Sequence, residues 1–323
     1  MKLGSKIAAS TATAALAIGG VTLMAAPAQA DLVTLCSGHG GAITLPTDLK
    51  VPAGASCFLD GTTIQGKVTV ESDANLHILG GQIDGQVTVS SGGYFDASDT
   101  SVDGDVVNTG AYGTYLEDGT SVAALSAAAA EGADNDGFVF VVGSSASSVN
   151  ATVGELYVTD SRLGGVSAEG VEYVDIFDSV VRGDLSVTNA ASGGILVDSE
   201  VIGDATYTGG NGPVAIGAGE SEGFASSLNY IDGDLSVTGV SGGVYIDNNI
   251  VGGDLTASDN SPTAQIGDNN RVRGGIVTQE VALRTFAAEV TAEFEEHEAD
   301  LEEAVEEQRA ETIEEALEAG PAF

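Results

Sequence analysis

Four aspartates in the second half of the chain share one short motif. Asp184, Asp204, Asp234 and Asp254 each follow a glycine and precede an apolar residue, in VRGDLSV, VIGDATY, IDGDLSV and VGGDLTA. If the motifs stack on successive turns of a coil, with an insertion between Gly209 and Phe224 looping out, each carboxylate lies about 5 Å from the next. Neighbours then repel by about 1 kcal/mol in water and by about 3 to 4 kcal/mol at an effective dielectric near 20. Two chemistries suit such a column. Each carboxylate can cap its own turn by accepting backbone N–H bonds, with solvent screening the rest. Alternatively, cations can bridge the column, and Ca²⁺, which takes oxygen ligands in flexible geometry, is the ion of choice. The sequence requires no other cofactor.

Other groups are weighed in the same way. Asp232 and Asp234 are a carboxylate pair of the kind that hydrolyses glycosides at separations of about 5 to 9.5 Å, but repetition of the motif points to turn structure. Asp134–Gly137, DNDG, is a fragment of a calcium loop without the glutamate that completes it. Arg182-Gly183-Asp184 reads RGD, yet it fills the same slot as IGD and DGD in sister motifs. Cys36 and Cys57 are the only cysteines. In an exported chain they form a disulfide, whose loop of about twenty residues contributes about 3 kcal/mol.

These residues need a repeating frame to position them. A recurrent glycine falls at Gly66, Gly85, Gly104, Gly165, Gly183, Gly203, Gly233, Gly253 and Gly274, mostly at steps near twenty. The residues between Gly104 and Gly165 amount to about three degenerate periods. Two residues before the glycine the side chain is always apolar, and two after it nearly always so. That alternation is a β-strand signature. Five before it sits Asp99, Asp160, Asp178, Asp198, Asn248 or Asn269, residue types that accept the left-handed conformation of a sharp turn. Short strands at a period near twenty describe a parallel β-solenoid. Residues 1–30 read as a leader, 31–60 as an N-terminal cap, 61–278 as the parallel β-helix and 279–323 as an acidic helical tail.

The repeat resembles the right-handed parallel β-helix of pectate lyases and phage tailspikes, and the TIQGKVTV and QIDGQVTV coils are similar to those of bactofilins, the polymerising bacterial β-helix proteins. The resemblance covers about Gly61 to Thr278 and implies an all-β, right-handed fold. A leader departs from the bactofilin pattern. Lyase likeness draws attention to Arg162 and Arg182 as bases beside Ca²⁺-binding acids, although they occupy different columns, three and one before the glycine. Gly38-His39-Gly40 is similar to the GHG of polygalacturonases, but it precedes the first coil and no Arg-x-Lys segment follows. No catalytic residue is assigned.

The leader has Lys2 and Lys6, an apolar run from Ile7 to Met24, and Ala28-Gln29-Ala30, an A-x-A cleavage pattern. The chain carries 48 acids against 10 bases, a net charge of −38. Such a surface repels nucleic acid and anionic membranes, and no segment after the leader is apolar for the ~18 residues a membrane helix needs. In the tail, 15 acids face Arg284 and Arg309. Phe286, Val290, Phe294, His297 and Leu301 form one helical stripe, and Val281 to about Leu301 is expected to cover the last coil. The resulting expectation is a secreted or cell-surface β-helix scaffold or binding protein. Its partner is an unidentified extracellular or cell-envelope component, with polysaccharide as one candidate class. The competing reading is an extracellular polysaccharide lyase or glycoside hydrolase.

Overall fold

A computed structural model describes residues 32–130, 137–217, 228–279 and 287–323, with side chains of the last segment from Leu301 onward except Glu302. The leader, most of the DNDG stretch, residues 218–227 and the link 280–286 lie outside the described residues, as do the side chains of Phe286, Val290, Phe294 and His297. The chain winds through about 12 turns of a right-handed parallel β-helix. Its strands stack into three parallel sheets of 13, 12 and 12 strands. We call them sheet 1 (Val33–Leu35 to Ile276–Thr278), sheet 2 (Gly38–Gly40 to Gln265–Ile266) and sheet 3 (Thr44–Leu45 to Arg271–Val272).

Alternation produces the coil. In sheet 1, strands such as Leu185–Thr188 bury their first and third side chains and leave the others half-exposed. Sheet 3 strands are mostly two residues long and bury only the second, as at Ile64, Val102, Val181 and Val201. These are the apolar residues two before the glycine. Together with Leu76, Phe95 and Leu156 from sheet 2, they form one continuous core along the rod. Each coil borrows its neighbours to bury its inner face.

The aspartates five before the glycine take left-handed φ values: Asp99 47°, Asp160 51°, Asp178 44°, Asp198 49° and Asn248 54°. Asn269 is not among the positive-φ residues. Between Gly104 and Gly165 the chain makes three turns whose corners are two residues long, Ala123-Ala124, Ser147-Ser148 and Gly164-Gly165, where the other aligned corners have three. A two-residue corner has no place for the aspartate that follows the glycine, which is why the motif vanishes there.

The coil pattern also extends upstream of Gly61. Residues 33–60, set apart above as a cap, supply the first strands of all three sheets. Leu45, Leu49 and Val51 keep the inward alternation, but Thr47 stands in the glycine column, so an alignment on glycine misses the turn. The Cys36–Cys57 disulfide forms as expected, with Cα atoms 5.7 Å apart.

The tail is a helix, α1 (Ala287–Ala319). Its described part covers the beginning of the rod. Backbone bonds run from His39 N to Gly320 O at 2.9 Å and from Ala322 N to His39 O at 2.9 Å, and Leu301 packs on the aromatic cluster that holds Tyr157. Leu301 to Gly320 spans about 29 Å of helix, which equals the six spacings from strand Glu155–Thr159 back to strand Gly38–Gly40. Residues 281–286 are not described, while Ile276 and Val277 on the last coil stay exposed. Beyond Leu301, Val305, Thr312 and Ala316 continue the helical stripe and are buried. Thr and Ala at those positions conceal the stripe from a search for large apolar residues.

Candidate functional site

The recurrent aspartates bond from coil to coil. Asp184 Oδ1 accepts the N–H of Asp204 at 3.0 Å, Asp204 Oδ1 that of Asp234 at 2.8 Å, and Asp234 Oδ1 that of Asp254 at 2.8 Å. Asp254 Oδ1 closes the series on the N–H of Gly275 at 2.6 Å. On the first turns Asp48 does the same for Lys67 N at 2.8 Å. Each aspartate therefore caps the next turn rather than its own. The glycine of the motif now has a cause. A Cβ on Gly203, Gly233, Gly253 or Gly274 would overlap the carboxylate reaching up from the preceding coil and the backbone of that coil's glycine. A charge-assisted N–H bond at each step offsets the repulsion between stacked carboxylates. Among the described residues no group of three or more His, Cys, Asp or Glu is placed to hold a metal ion.

A second ladder, inside the corner between sheets 2 and 3, was not legible beforehand. Thr120, Thr100, Ser161, Ser179 and Ser199 are buried. Their side-chain oxygens accept N–H groups of the preceding coil, as in Ser161 N to Ser179 Oγ at 3.0 Å and Ser179 N to Ser199 Oγ at 3.2 Å. Asn229 takes the same position, accepting from Ser199 N at 2.9 Å. The sequence signal is a small polar residue after, or two after, each left-handed aspartate. Bonded in series, these groups satisfy the backbone at a bend where ladder bonds lapse.

A polar cluster that does not repeat along the described coils lies under α1. Asp96 is in the sheet 2 strand Tyr94–Ser98, flanked in register by His77 and Tyr115. It points outward, yet it is 0 % exposed because the helix covers it. Arg309 grips it in two places, Nε to Oδ2 at 2.7 Å and Nη2 to Oδ1 at 2.9 Å. The same guanidinium reaches Glu117 Oε1 at 2.7 Å and sits 4.9 Å from the centre of the Tyr115 ring, a cation–π contact. Tyr94 donates its hydroxyl to Asp96 Oδ2 at 2.9 Å. His77 Nδ1 lies 3.2 Å from Asp96 Oδ1, close enough for charge but not aligned as a hydrogen bond, and its ring stacks on Phe58.

Burial alone would raise the Asp96 carboxyl. His77 and Arg309 outweigh it and hold the group below the usual carboxylate range. Burial, and then the nearby Asp96, push the Tyr94 phenol upward. Around this cluster Tyr94, Phe138, Phe140, Tyr157 and Val305 form an apolar strip, with rings packed tilted or edge-to-face. Beside it a hollow of about 180 Å³ is bounded by Tyr115, Phe140, Tyr157, Leu301 and Arg309. Both oxygens of Asp96 are engaged and shielded from solvent, and the carboxylate fastens the helix to the sheet.

The other marked residues do not converge on this cluster. Arg162 and Arg182 are exposed, on successive coils at sheet 3 and its corner. Asp232 Oδ1 accepts from Tyr230 at 2.9 Å and Asp234 Oδ1 is engaged in the ladder. Within RGD, Asp184 is likewise a ladder acceptor. Gly38-His39-Gly40 is the first strand of sheet 2, where the chain's last residues cover it. Asp96 and Arg309 lie 213 positions apart. Their only signals were an acid in a mostly aromatic row (Phe58, His77, Tyr115, Phe140, Tyr157) and a base in a run of acids. No helix among the described residues is long and apolar enough to cross a membrane. Compared with known proteins, the chain matches no family model and has no significant match to a curated protein or a solved structure.

Proposed function

We propose that the protein is an exported structural rod that serves as a scaffold at the cell exterior and presents its acidic flanks to an extracellular or cell-envelope partner. The observation that carries this reading is the use made of the recurrent acids: each ladder carboxylate is committed to the amide of the next coil. A chain that spends its repeated polar residues on stacking is built for length and rigidity. The leader pattern and the disulfide support export, since a disulfide persists in oxidising compartments. The net charge favours partners other than nucleic acid or anionic lipid.

A glycan array combined with a polysaccharide hydrolysis and lyase screen of the secreted protein tests this. Retention of a glycan without release of reducing ends or unsaturated products is the expected result. Turnover that disappears on replacing Arg162, Arg182 or Asp232 would make the enzyme reading the correct one.

A further inference from the structure

A parallel solenoid has a structural problem at each end. Its terminal strands carry unpaired backbone groups on the side facing away from the rod, and these invite another strand. Here the two ends are treated differently. At the carboxy-terminal end, Arg271–Val272 and Ile276–Thr278 are paired on one side only among the described residues, and Ile276 and Val277 are 54 % and 56 % exposed. At the amino-terminal end, Val33–Leu35 is open in the same sense, with Leu35 57 % exposed. Sheet 2 is the exception. Pro321 bridges His39 in the parallel sense, so Gly320–Ala322 lies where the strand of a preceding coil would lie.

We propose that Gly320–Ala322 is a built-in blocking strand: it holds the amino-terminal edge of sheet 2 against the last coil of a second copy, and its release lets copies stack head to tail. The incoming surface would repeat the interface that already joins every coil to the next: parallel strands outside and apolar side chains within. Charge allows it, because Arg271 and Arg273 are exposed on the last coil, while Asp48 and Asp60 lie on the first coils. The block is held at a distance by the Arg309–Asp96 pair and by Ser56, whose hydroxyl donates to Glu315 at 2.6 Å. Freeing the helix therefore frees the edge.

The inference rests on reading the molecule as a structural rod, but its test measures association and not catalysis, so the two can fail separately. Sedimentation velocity over a concentration series compares the full chain, a chain ending at Ala319, and A322P, which cannot donate to His39 O. The full chain is expected to remain monomeric, while both variants gain mass with concentration, at least to that of a dimer. Adding I276D to either variant, which charges the far edge, returns it to a monomer. If truncation unfolds the chain by circular dichroism, A322P alone decides. The proposal is overturned if folded variants stay monomeric over the whole series, if the full chain associates as strongly as they do, or if association survives I276D.

Discussion

Arg309 and Asp96, 213 positions apart, meet in a two-pronged ion pair that fastens the last helix of the chain to its fourth coil. The pair joins two acidic bodies, and the only base of α1 is the one that makes it. Removing one partner leaves a buried charge unmatched, whereas replacing both with apolar groups does not. R309A should therefore lower stability in guanidinium denaturation by about 3 kcal/mol. D96L combined with R309M should recover most of that loss. Equal losses in the single and double variants would show that the pair contributes only through packing.

Two carboxyls on sheet 2 give opposite pH dependences. Asp96 has a depressed folded pKa. Its contribution is fully present above the ordinary carboxylate pKa, about 4, and is lost as pH falls through the lower folded value. Burial, and then Glu172, push Glu155 up to about 7. The native state takes up a proton there, so stability declines as pH rises from about 4.5 to about 7. In denaturation series across pH, D96N should flatten the acid limb and E155Q the slope between pH 4.5 and 7. A wild-type slope unchanged by E155Q in that window would remove the second assignment.

The Gly–Asp ladder separates the two residues of its motif. G233A forces a Cβ onto Asp204 Oδ1 and the Gly203 carbonyl and should cost about 1 to 3 kcal/mol, as overpacking does. D204A loses one bond and should cost about 1 kcal/mol. D204N keeps an acceptor and sheds a charge, so it should stay near wild type. A G233A variant as stable as wild type in urea melts would mean that the coils separate at little cost.

The Cys36–Cys57 bridge ties the residue that follows the first strand of sheet 1 to the second strand of sheet 2, Ser56–Asp60. Thiol titration of the purified, unreduced protein under denaturing conditions should find none free. Reduction should lower stability by about 3 kcal/mol. Two titratable thiols in the unreduced chain would contradict the bridge.

Much of this was legible because period and alternation are local. Ile64, Val102 and Val181 announce strands that face inward, and Asp99 or Asp178 announces the turn before them. The missed turn around Thr47 and the two-residue corners at Ala123-Ala124 and Ser147-Ser148 show the limit: glycine marks a corner where the preceding coil's backbone or carboxylate would meet a Cβ, and not every corner is built that way. The partner of each ladder aspartate was misread as its own turn, since nothing in one repeat shows what the next will offer. The Asp96–Arg309 pair and the docking of Gly320–Ala322 on His39 were invisible for a different reason. They depend on where a helix lies along the rod, which follows from matching its length to the strand spacing and leaves no motif. Thr312 and Ala316, buried in that contact, look like solvent-facing residues in an acidic helix.

A melting comparison decides what the ladder carboxylates do. Thermal unfolding of the wild-type protein and of D204N/D234N is followed in millimolar Ca²⁺ and in NaCl of equal ionic strength. If the carboxylates serve the amides of the next coil, both salts raise the melting temperature by the same amount by screening an acidic rod, and the double variant responds as the wild type does. A larger gain in Ca²⁺ that vanishes in D204N/D234N would make the column a calcium site and contradict the stacking role assigned to it.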